Sequence, residues 1–174
     1  LPEKAGLLFQ SMAPLGFTGM PTGEELIEQK LMSHFNVVGT GTAREMAEWH
    51  NALQRAAEET RLGIPVTVST DPRHAFTNNP GAAFAAGAFS EWPEPLGLAA
   101  TRDAALVEEF ADIARQEYLA AGIRLALHPV ADLATEPRWA RINGAFGEDA
   151  DLAAELTAAY IRGFQGPEIG PESV

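Results

Sequence analysis

The sequence contains 174 residues, enough for one ordinary domain or for part of a larger one. The apolar fraction of 46% predicts a globular chain, and the net charge of −12 argues against a nucleic-acid surface, which requires clustered Lys and Arg. Because the chain has no cysteine, it can form neither a disulfide nor a thiolate metal site. No apolar run reaches the ~18 residues of a membrane span, and the first ten residues do not resemble a signal peptide. These features leave the compartment open, cytoplasmic or secreted.

The first half of the chain predicts two helices and two strands. Thr22 and Thr42 are suitable N-caps, and apolar residues recur at helical spacing after each of them. Two short runs rich in β-branched residues are typical of buried strands. The predicted elements are a helix over 22–34, a strand over 35–40, a helix from 42 to about 63 and a strand over 64–70.

The second half alternates helices with two long irregular segments. A Pro-, Gly- and Ala-rich stretch without sustained periodicity is long for a plain loop, and its aromatic residues favour a functional role. The predicted elements are an irregular segment over 72–99, a helix over 103–121, a strand over 124–129, an irregular segment over 130–148, a helix over 149–164 and a loop or disordered tail over 167–174.

The alternation of strands and helices predicts an α/β fold with parallel strands and right-handed crossovers. Two architectures fit, a doubly wound sheet and part of a (β/α)8 barrel. Three strands are too few to close a barrel, which needs ~250 residues. In both architectures function gathers at the carboxyl ends of the strands. A doubly wound fold would carry a phosphate-binding turn after the first strand, and GTGTA (39–43) resembles one only faintly.

Three stretches, in order, resemble glycoside hydrolase family 3. GIPVTVSTDPRH (63–74) is similar to the family's strand followed by D-x-x-H. WPEPLGLAATRD (92–103) and the helix after it are similar to its P-x-x-L-G-L-A-A-T-x-D segment. HPVADLATEPRWARINGAFGED (128–149) is similar to its P-V-x-D…P-R-W-x-R…F-x-E-D segment. The resemblance extends from about residue 4 to 166, which makes residues 1–166 the N-terminal portion of a (β/α)8 barrel that is incomplete in this chain.

The resemblance implies a hydrolase, a retaining exo-acting β-glycosidase of the β-glucosidase type that works without a metal or an organic cofactor. Its substrate would be a β-glucoside or a β-linked oligosaccharide with a terminal glucose. The family's two catalytic carboxylates and its Lys-His pair lie in segments that no motif of this chain matches. We therefore assign no catalytic residue and no metal ligand here. The alternative is a non-catalytic carbohydrate-binding or interaction module derived from such a barrel.

The resemblance also implies that Asp71 and Arg141 bind the sugar at the cleavage point. A carboxylate accepts hydrogen bonds from two neighbouring hydroxyls, and a guanidinium donates in a fixed fork, so the two groups suit a sugar. We expect their side chains to converge at the carboxyl end of the sheet. Two structural alternatives stay open: Asp71 caps a turn or helix, and Arg141 pairs with Glu148 or Asp149.

Three further residues are candidates for sugar contact, each with a structural alternative. His74 lies near the site in the resemblance but could be a hydrogen-bonded loop residue. Trp92 could stack on a pyranose face or pack under a loop, and Arg138 could contact the sugar or only stabilise its own segment. His128 and Asp132 are interpreted as residues that fix the loop after the third strand.

The predicted partners are the sugar and the remainder of the barrel, or a second chain. An open sheet leaves an unpaired edge strand, which is an aggregation hazard. We therefore expect a partner to bury the strand over 124–129 and the apolar side of the last helix, which carries Leu152, Leu156 and Tyr160. Neither a nucleic acid nor a membrane is an expected partner.

Overall fold

The computed structural model describes residues 1–15, 19–77 and 83–174. Their contacts divide the chain into two compact units, Leu1–Thr70 with Ala120–Leu125 and Asp71–Leu119 with Ala126–Val174. Residues 78–82, which belong to the predicted irregular segment 72–99, lie outside the described residues. No helix in the described ranges is long and apolar enough to cross a membrane.

The first unit is built on a sheet of four strands in the order β1-β2-β3-β4. β2 pairs in parallel with both β1 and β3, which confirms the predicted parallel α/β arrangement. Phe35, Val37 and Val68 from the two central strands are almost fully buried, and so are Ser69 and Thr70 of β3, as expected for parallel strands covered on both faces. The strands are β1 (Gln10–Pro14), β2 (His34–Val38), β3 (Thr67–Thr70) and β4 (Ile123–Ala126).

The prediction of three strands was wrong, because β1 forms a fourth. Its sequence, QSMAP, contains neither an apolar run nor alternation, and it ends in proline. Backbone pairing with β2 and the burial of Ala13 stabilise the strand, and proline is tolerated there because β1 is an edge strand. The predicted strands over 64–70 and 124–129 exist but are shorter, as β3 and β4.

The described part of the first unit contains three helices, α1 (Pro2–Gly6), α2 (Gly23–Lys30) and α3 (Ala43–Glu58). Thr22 and Thr42 each form a capping box with the glutamate three residues on, which confirms both predicted helix starts. α2 ends four residues before the predicted position 34, because Leu31 adopts a left-handed conformation with φ 57°. Among the apolar residues at helical spacing along α3, Met46 and Leu53 are buried, whereas Trp49 is half-buried.

The described part of the second unit contains three α-helices and one short 3-10 helix. They are α4 (Pro95–Thr101), α5 (Ala104–Ala120), the 3-10 helix Ile142–Gly144 and α6 (Ala150–Gln165). The long helices confirm the prediction, and Asp103 caps α5 through the backbone N–H groups of Ala105 and Leu106. The prediction of an irregular chain to residue 99 was wrong for α4. This helix has only seven residues, begins at a proline and shows no measurable periodicity.

The buried face of α5 combines large and small residues. Phe110 and Tyr118 are buried, Leu106 and Ile113 are only half-buried, and Val107 and the alanines 111 and 114 form the rest of the core face. Small residues on this face allow close packing, which a periodicity argument based on large side chains does not detect.

The expectation that a partner covers Leu156 and Tyr160 of α6 was wrong. Leu156 is 0% and Tyr160 3% exposed, so both are already buried in the core of this unit. The exposed apolar face of α6 lies elsewhere, at Ile161 and the alanines 154 and 158. At β4, Leu125 is exposed, and the burial of this strand by a partner stays a prediction.

The tail after α6 folds back on the same unit. The backbone N–H of Val174 donates to the Phe164 carbonyl at 3.0 Å, and the Arg115 guanidinium donates to the Glu172 carbonyl at 2.6 Å. Arg115 is itself buried and is held by the Asp112 carboxylate. The predicted tail over 167–174 is irregular in structure, and these bonds determine its path.

Candidate functional site

Asp71 directly follows β3, and its half-buried side chain lies within electrostatic reach of a buried arginine. Arg73 is only 1% exposed, and its guanidinium carbon lies 4.5 Å from the centre of the Phe84 ring. Burial lowers the pKa of Arg73, whereas the charges of Tyr118 and Asp71 raise it. A buried cation must be compensated by partners, so Arg73 provides a fixed positive charge beside the Asp71 carboxylate.

His74, the next residue along, is buried among aromatic rings. Its imidazole lies 5.4 Å from the ring of Phe89, 5.7 Å from that of Phe110 and 5.3 Å from that of Tyr118. Burial lowers the pKa of His74, although the Nε2 contact with the Glu117 carboxylate at 2.8 Å opposes this shift. The histidine is therefore a buried, hydrogen-bonded residue of the loop after β3, and its contact with a sugar stays a prediction.

Glu117 on α5 connects His74 to the segment that carries Trp92. Its carboxylate accepts hydrogen bonds from the backbone N–H of Ser90 at 3.1 Å and from the Ser90 hydroxyl at 3.1 Å. The Ser90 hydroxyl in turn accepts the Trp92 indole N–H at 2.9 Å. Trp92 also packs 5.2 Å from the ring of Phe110, and its backbone N–H donates to the His74 carbonyl.

A second polar group in the same core is centred on His128. The Tyr118 hydroxyl lies 3.0 Å from His128 Nε2, and the Tyr160 hydroxyl lies 2.6 Å from Nδ1. Burial lowers the pKa of His128 to about 3 and raises the pKa of both tyrosines. The imidazole is therefore neutral, with one donor and one acceptor nitrogen. It holds the segment after β4 against α5 and α6, in agreement with the interpretation of His128 as a loop-fixing residue.

The remaining predicted arginines lie in the exposed segment before α6. Arg138 donates to both carboxylate oxygens of Glu136 at 2.8 Å, and this arginine lowers the pKa of Glu136 to about 2. Arg141 begins the 3-10 helix, and its guanidinium carbon lies 5.8 Å from the centre of the Trp139 ring. Asp149, one proposed ion-pair partner of Arg141, instead caps α6 by accepting from the Leu152 N–H at 3.0 Å.

A small cavity lies in the second unit, between the loop that carries His74, the 3-10 helix and the core residues Phe110 and Tyr160. Its volume is about 30 Å³, room for about two water molecules, whereas ligand pockets usually measure at least about 300 Å³. It is lined by Pro72, His74, Ala75, Ala83, Pro93, Glu94, Pro95, Phe110, Asn143, Gly144 and Tyr160. The cavity is therefore too small for a sugar. Among the described residues, no group of three or more His, Asp or Glu is arranged to hold a metal ion.

The structure gives the five predicted site residues different environments. Arg141 is exposed and Asp71 is half-buried, and their convergence on one sugar stays a prediction. His74 and Trp92 belong to one hydrogen-bonded network, whereas Arg138 is paired with Glu136. Sequence reasoning missed Arg73, although it lies within the quoted DPRH motif. It also missed Glu117, for which no local signal exists because its partners lie 27 and 43 residues away.

Comparisons with known proteins identify similar chains over nearly the whole length. The model of the glycosyl hydrolase family 3 N terminal domain matches residues 22–172. Beta-glucosidase C of Emericella nidulans is 56% identical over 100% of this chain and 29% of its own length. Periplasmic beta-glucosidase/beta-xylosidase of Dickeya chrysanthemi is 49% identical over 98% of this chain and 27% of its own length.

Solved structures agree with the expected architecture. Beta-glucosidase from Listeria innocua in complex with glucose matches with a TM-score of 0.66 and 26% identity, over 96% of this chain and 22% of that chain. The matches confirm the fold that the motifs imply, part of a (β/α)8-type barrel. The chain spans less than a third of the length of the two curated relatives.

Proposed function

This chain belongs to glycosyl hydrolase family 3, and from that premise we propose that it supplies part of the sugar subsite of a retaining, exo-acting β-glucosidase-type enzyme. The observation that carries the proposal is the Asp71 carboxylate, which follows β3 and is accompanied by the buried cation of Arg73. In parallel α/β folds, binding groups gather at the carboxyl ends of strands.

An ionised carboxylate is a strong acceptor for two sugar hydroxyls. Hydrogen bonds to a charged group are about twice as strong as neutral ones. Carboxylate geometry distinguishes sugars, because an epimer with a misplaced hydroxyl leaves one oxygen unpaired. Asp71 is therefore proposed as the residue that recognises terminal β-linked glucose.

Arg141 is proposed as the donor on the other side of the sugar. Its guanidinium is exposed, and the ring of Trp139 lies close to it, an arrangement that suits cation–π contact. Arg138, by contrast, donates two hydrogen bonds to Glu136, so of the two arginines Arg141 is the better candidate.

Hydrolysis with retention requires a nucleophile and an acid/base about 5 Å apart. We assign neither to this chain, so the enzyme's chemistry depends on carboxylates in other segments of an intact protein that carries this sequence. Such a protein is proposed to release glucose from the non-reducing end of β-glucosides. Because one relative is named a beta-glucosidase/beta-xylosidase, an aryl β-xyloside is the appropriate competing substrate.

The test is hydrolysis of aryl β-glucoside, β-xyloside and α-glucoside by an intact protein that carries this sequence, with the product anomer read by NMR. We expect turnover of the β-glucoside with a β-anomer product. Asp71→Ala should lower kcat/KM by about 100-fold or more, because hydroxyl contacts that strengthen in the transition state supply several kcal/mol. Arg44→Ala, which removes an exposed arginine paired with Glu48 on α3, is the control and should match the wild type.

Two results would contradict the proposal. The first is a folded protein that hydrolyses no β-glycoside; glucose binding without turnover would then favour the carbohydrate-binding alternative. The second is an Asp71→Ala variant with unchanged kcat/KM per folded molecule, which would assign Asp71 a purely structural role.

A further inference from the structure

The Glu117 carboxylate collects three donors from two separate loop segments. It accepts from His74 Nε2 at 2.8 Å, from the Ser90 N–H at 3.1 Å and from the Ser90 hydroxyl at 3.1 Å. Its side chain is 31% exposed, so part of its hydration is lost. If position 117 only packed α5 against its neighbours, an apolar residue would be sufficient there. A carboxylate that is compensated by loop donors instead specifies where those donors lie.

The donor and the acceptor of each hydrogen bond in this network can be assigned by starting from Trp92. An indole N–H can only donate, so Trp92 donates to the Ser90 oxygen, and the single hydroxyl hydrogen of Ser90 remains for Glu117. An ionised carboxylate can only accept. His74 must therefore carry its hydrogen on Nε2, which fixes its tautomer.

The same bonds fix the orientation of the Trp92 indole. Its N–H is occupied by Ser90, its backbone N–H donates to the His74 carbonyl at 2.8 Å, and its ring packs near Phe110. The ring face of Trp92 is the part that we expect to contact a ligand. His74 lies three residues after Asp71, so the segment that carries the proposed sugar-binding carboxylate is tied to the same point on α5.

We propose that Glu117 is a positioning residue that orients the Trp92 indole, fixes the tautomer of His74 and thereby places the segment from Asp71 to Ala75 for sugar binding. Its effect on catalysis rests on the proposed function, whereas its effect on the orientation of Trp92 does not. Glu117 acts from the helix and does not contact the sugar.

The test uses an intact protein that carries this sequence and the variant Glu117→Gln. The carboxamide keeps the side-chain shape but removes the negative charge that strengthens the three hydrogen bonds to Oε2. Its NH2 group also replaces Oε1, which accepts from the Ser90 N–H at 3.2 Å, with a donor. We expect the Trp92 indole 1H–15N resonance, identified by its absence in Trp92→Phe, to move. We also expect kcat/KM for an aryl β-glucoside to fall by about 10- to 100-fold per folded molecule.

Two variants make the test specific. Glu109→Gln changes an exposed glutamate on the same helix and should leave both the resonance and kcat/KM as in the wild type. Ser90→Ala removes the hydroxyl that joins Trp92 to Glu117, so it should also move the Trp92 resonance and lower kcat/KM. This variant replaces Glu117→Gln if the latter does not fold. When Glu117→Gln and Ser90→Ala are combined, the loss of kcat/KM should be smaller than the two single effects predict together, because both changes disrupt one network.

The proposal is overturned if the network variants leave the Trp92 resonance in place, or if kcat/KM per folded molecule stays within about twofold of the wild type while only thermal stability falls. If the wild-type protein hydrolyses no aryl β-glucoside, the proposed function fails. The indole resonance then still decides whether Glu117 orients Trp92.

Discussion

Gly163 lies where α6 approaches the backbone of α5, and its replacement by alanine should destabilise the second unit. A Cβ at this position would lie 2.4 Å from the Ala111 Cβ, 2.5 Å from the Glu108 carbonyl oxygen and 2.9 Å from the Asp112 nitrogen. Carbon atoms in contact are about 3.5–4.0 Å apart, so the overlap exceeds about 1 Å. Two of the three neighbours are backbone atoms, which no rotamer change can move.

The expected magnitude follows from two opposing effects. Replacing glycine by alanine within a helix stabilises by about 1 kcal/mol, whereas overpacking a core costs about 1–3 kcal/mol. The backbone clash places the cost at the upper end, so we expect Gly163→Ala to lower the free energy of unfolding by about 2 kcal/mol. Urea titration measures this difference. Gly170→Ala, where no atom lies within 4 Å, is the control and should be close to neutral. A Gly163→Ala variant as stable as the wild type would refute the described packing of α5 and α6.

Two further predictions concern pH and helix capping. The pKa of His128 is about 3 in the folded protein and 6.5 when unperturbed. Because only the unfolded chain binds a proton between these values, the contribution of His128 to stability is complete above pH 6.5 and is lost as pH falls toward 3. At pH 4.5 the loss amounts to about 3 kcal/mol. In denaturation curves, His128→Gln should flatten the decline in stability between those limits, and an unchanged slope would contradict the burial of a neutral imidazole. Thr42→Ala removes the capping box of α3 and should cost about 1 kcal/mol in the same assay, whereas Thr42→Ser should retain most of it.

The features predicted successfully are those whose signals are local in the sequence. Thr22 and Thr42 mark their helices because a capping box involves residues only three positions apart. The buried strands β2 and β3 are recognisable because apolar, β-branched residues in parallel sheets run together. Their parallel pairing follows from the alternation of strands with helices.

The features that were missed depend on contacts with distant residues. β1 is stabilised by pairing with β2, about 24 positions later in the chain, and its own sequence carries no strand pattern. The short helix α4 lies in a Pro- and Gly-rich segment, where its seven residues show no period. The unpartnered face of α6 was assigned to Leu156 and Tyr160 because large apolar residues suggest an interface, yet the core of the same unit buries both.

The candidate site shows the same division. Asp71 and Arg141 were proposed from motifs that are continuous in the sequence, and their sugar-binding roles stay predictions. The roles of Glu117 and Ser90 could not be predicted, because a carboxylate on an amphipathic helix is usually a solvated charge. Only the folded chain brings His74 and Trp92 to that carboxylate.

The most direct measurement of the central claim is a crystal structure of an intact protein that carries this sequence, soaked with glucose. We predict one glucose ring that donates hydroxyl hydrogen bonds to the Asp71 carboxylate and accepts from the Arg141 guanidinium, each over about 2.7–3.2 Å. Glucose bound elsewhere would contradict the account. A separation of Asp71 and Arg141 by more than about 12 Å, beyond the span of one sugar ring and two hydrogen bonds, would contradict it equally.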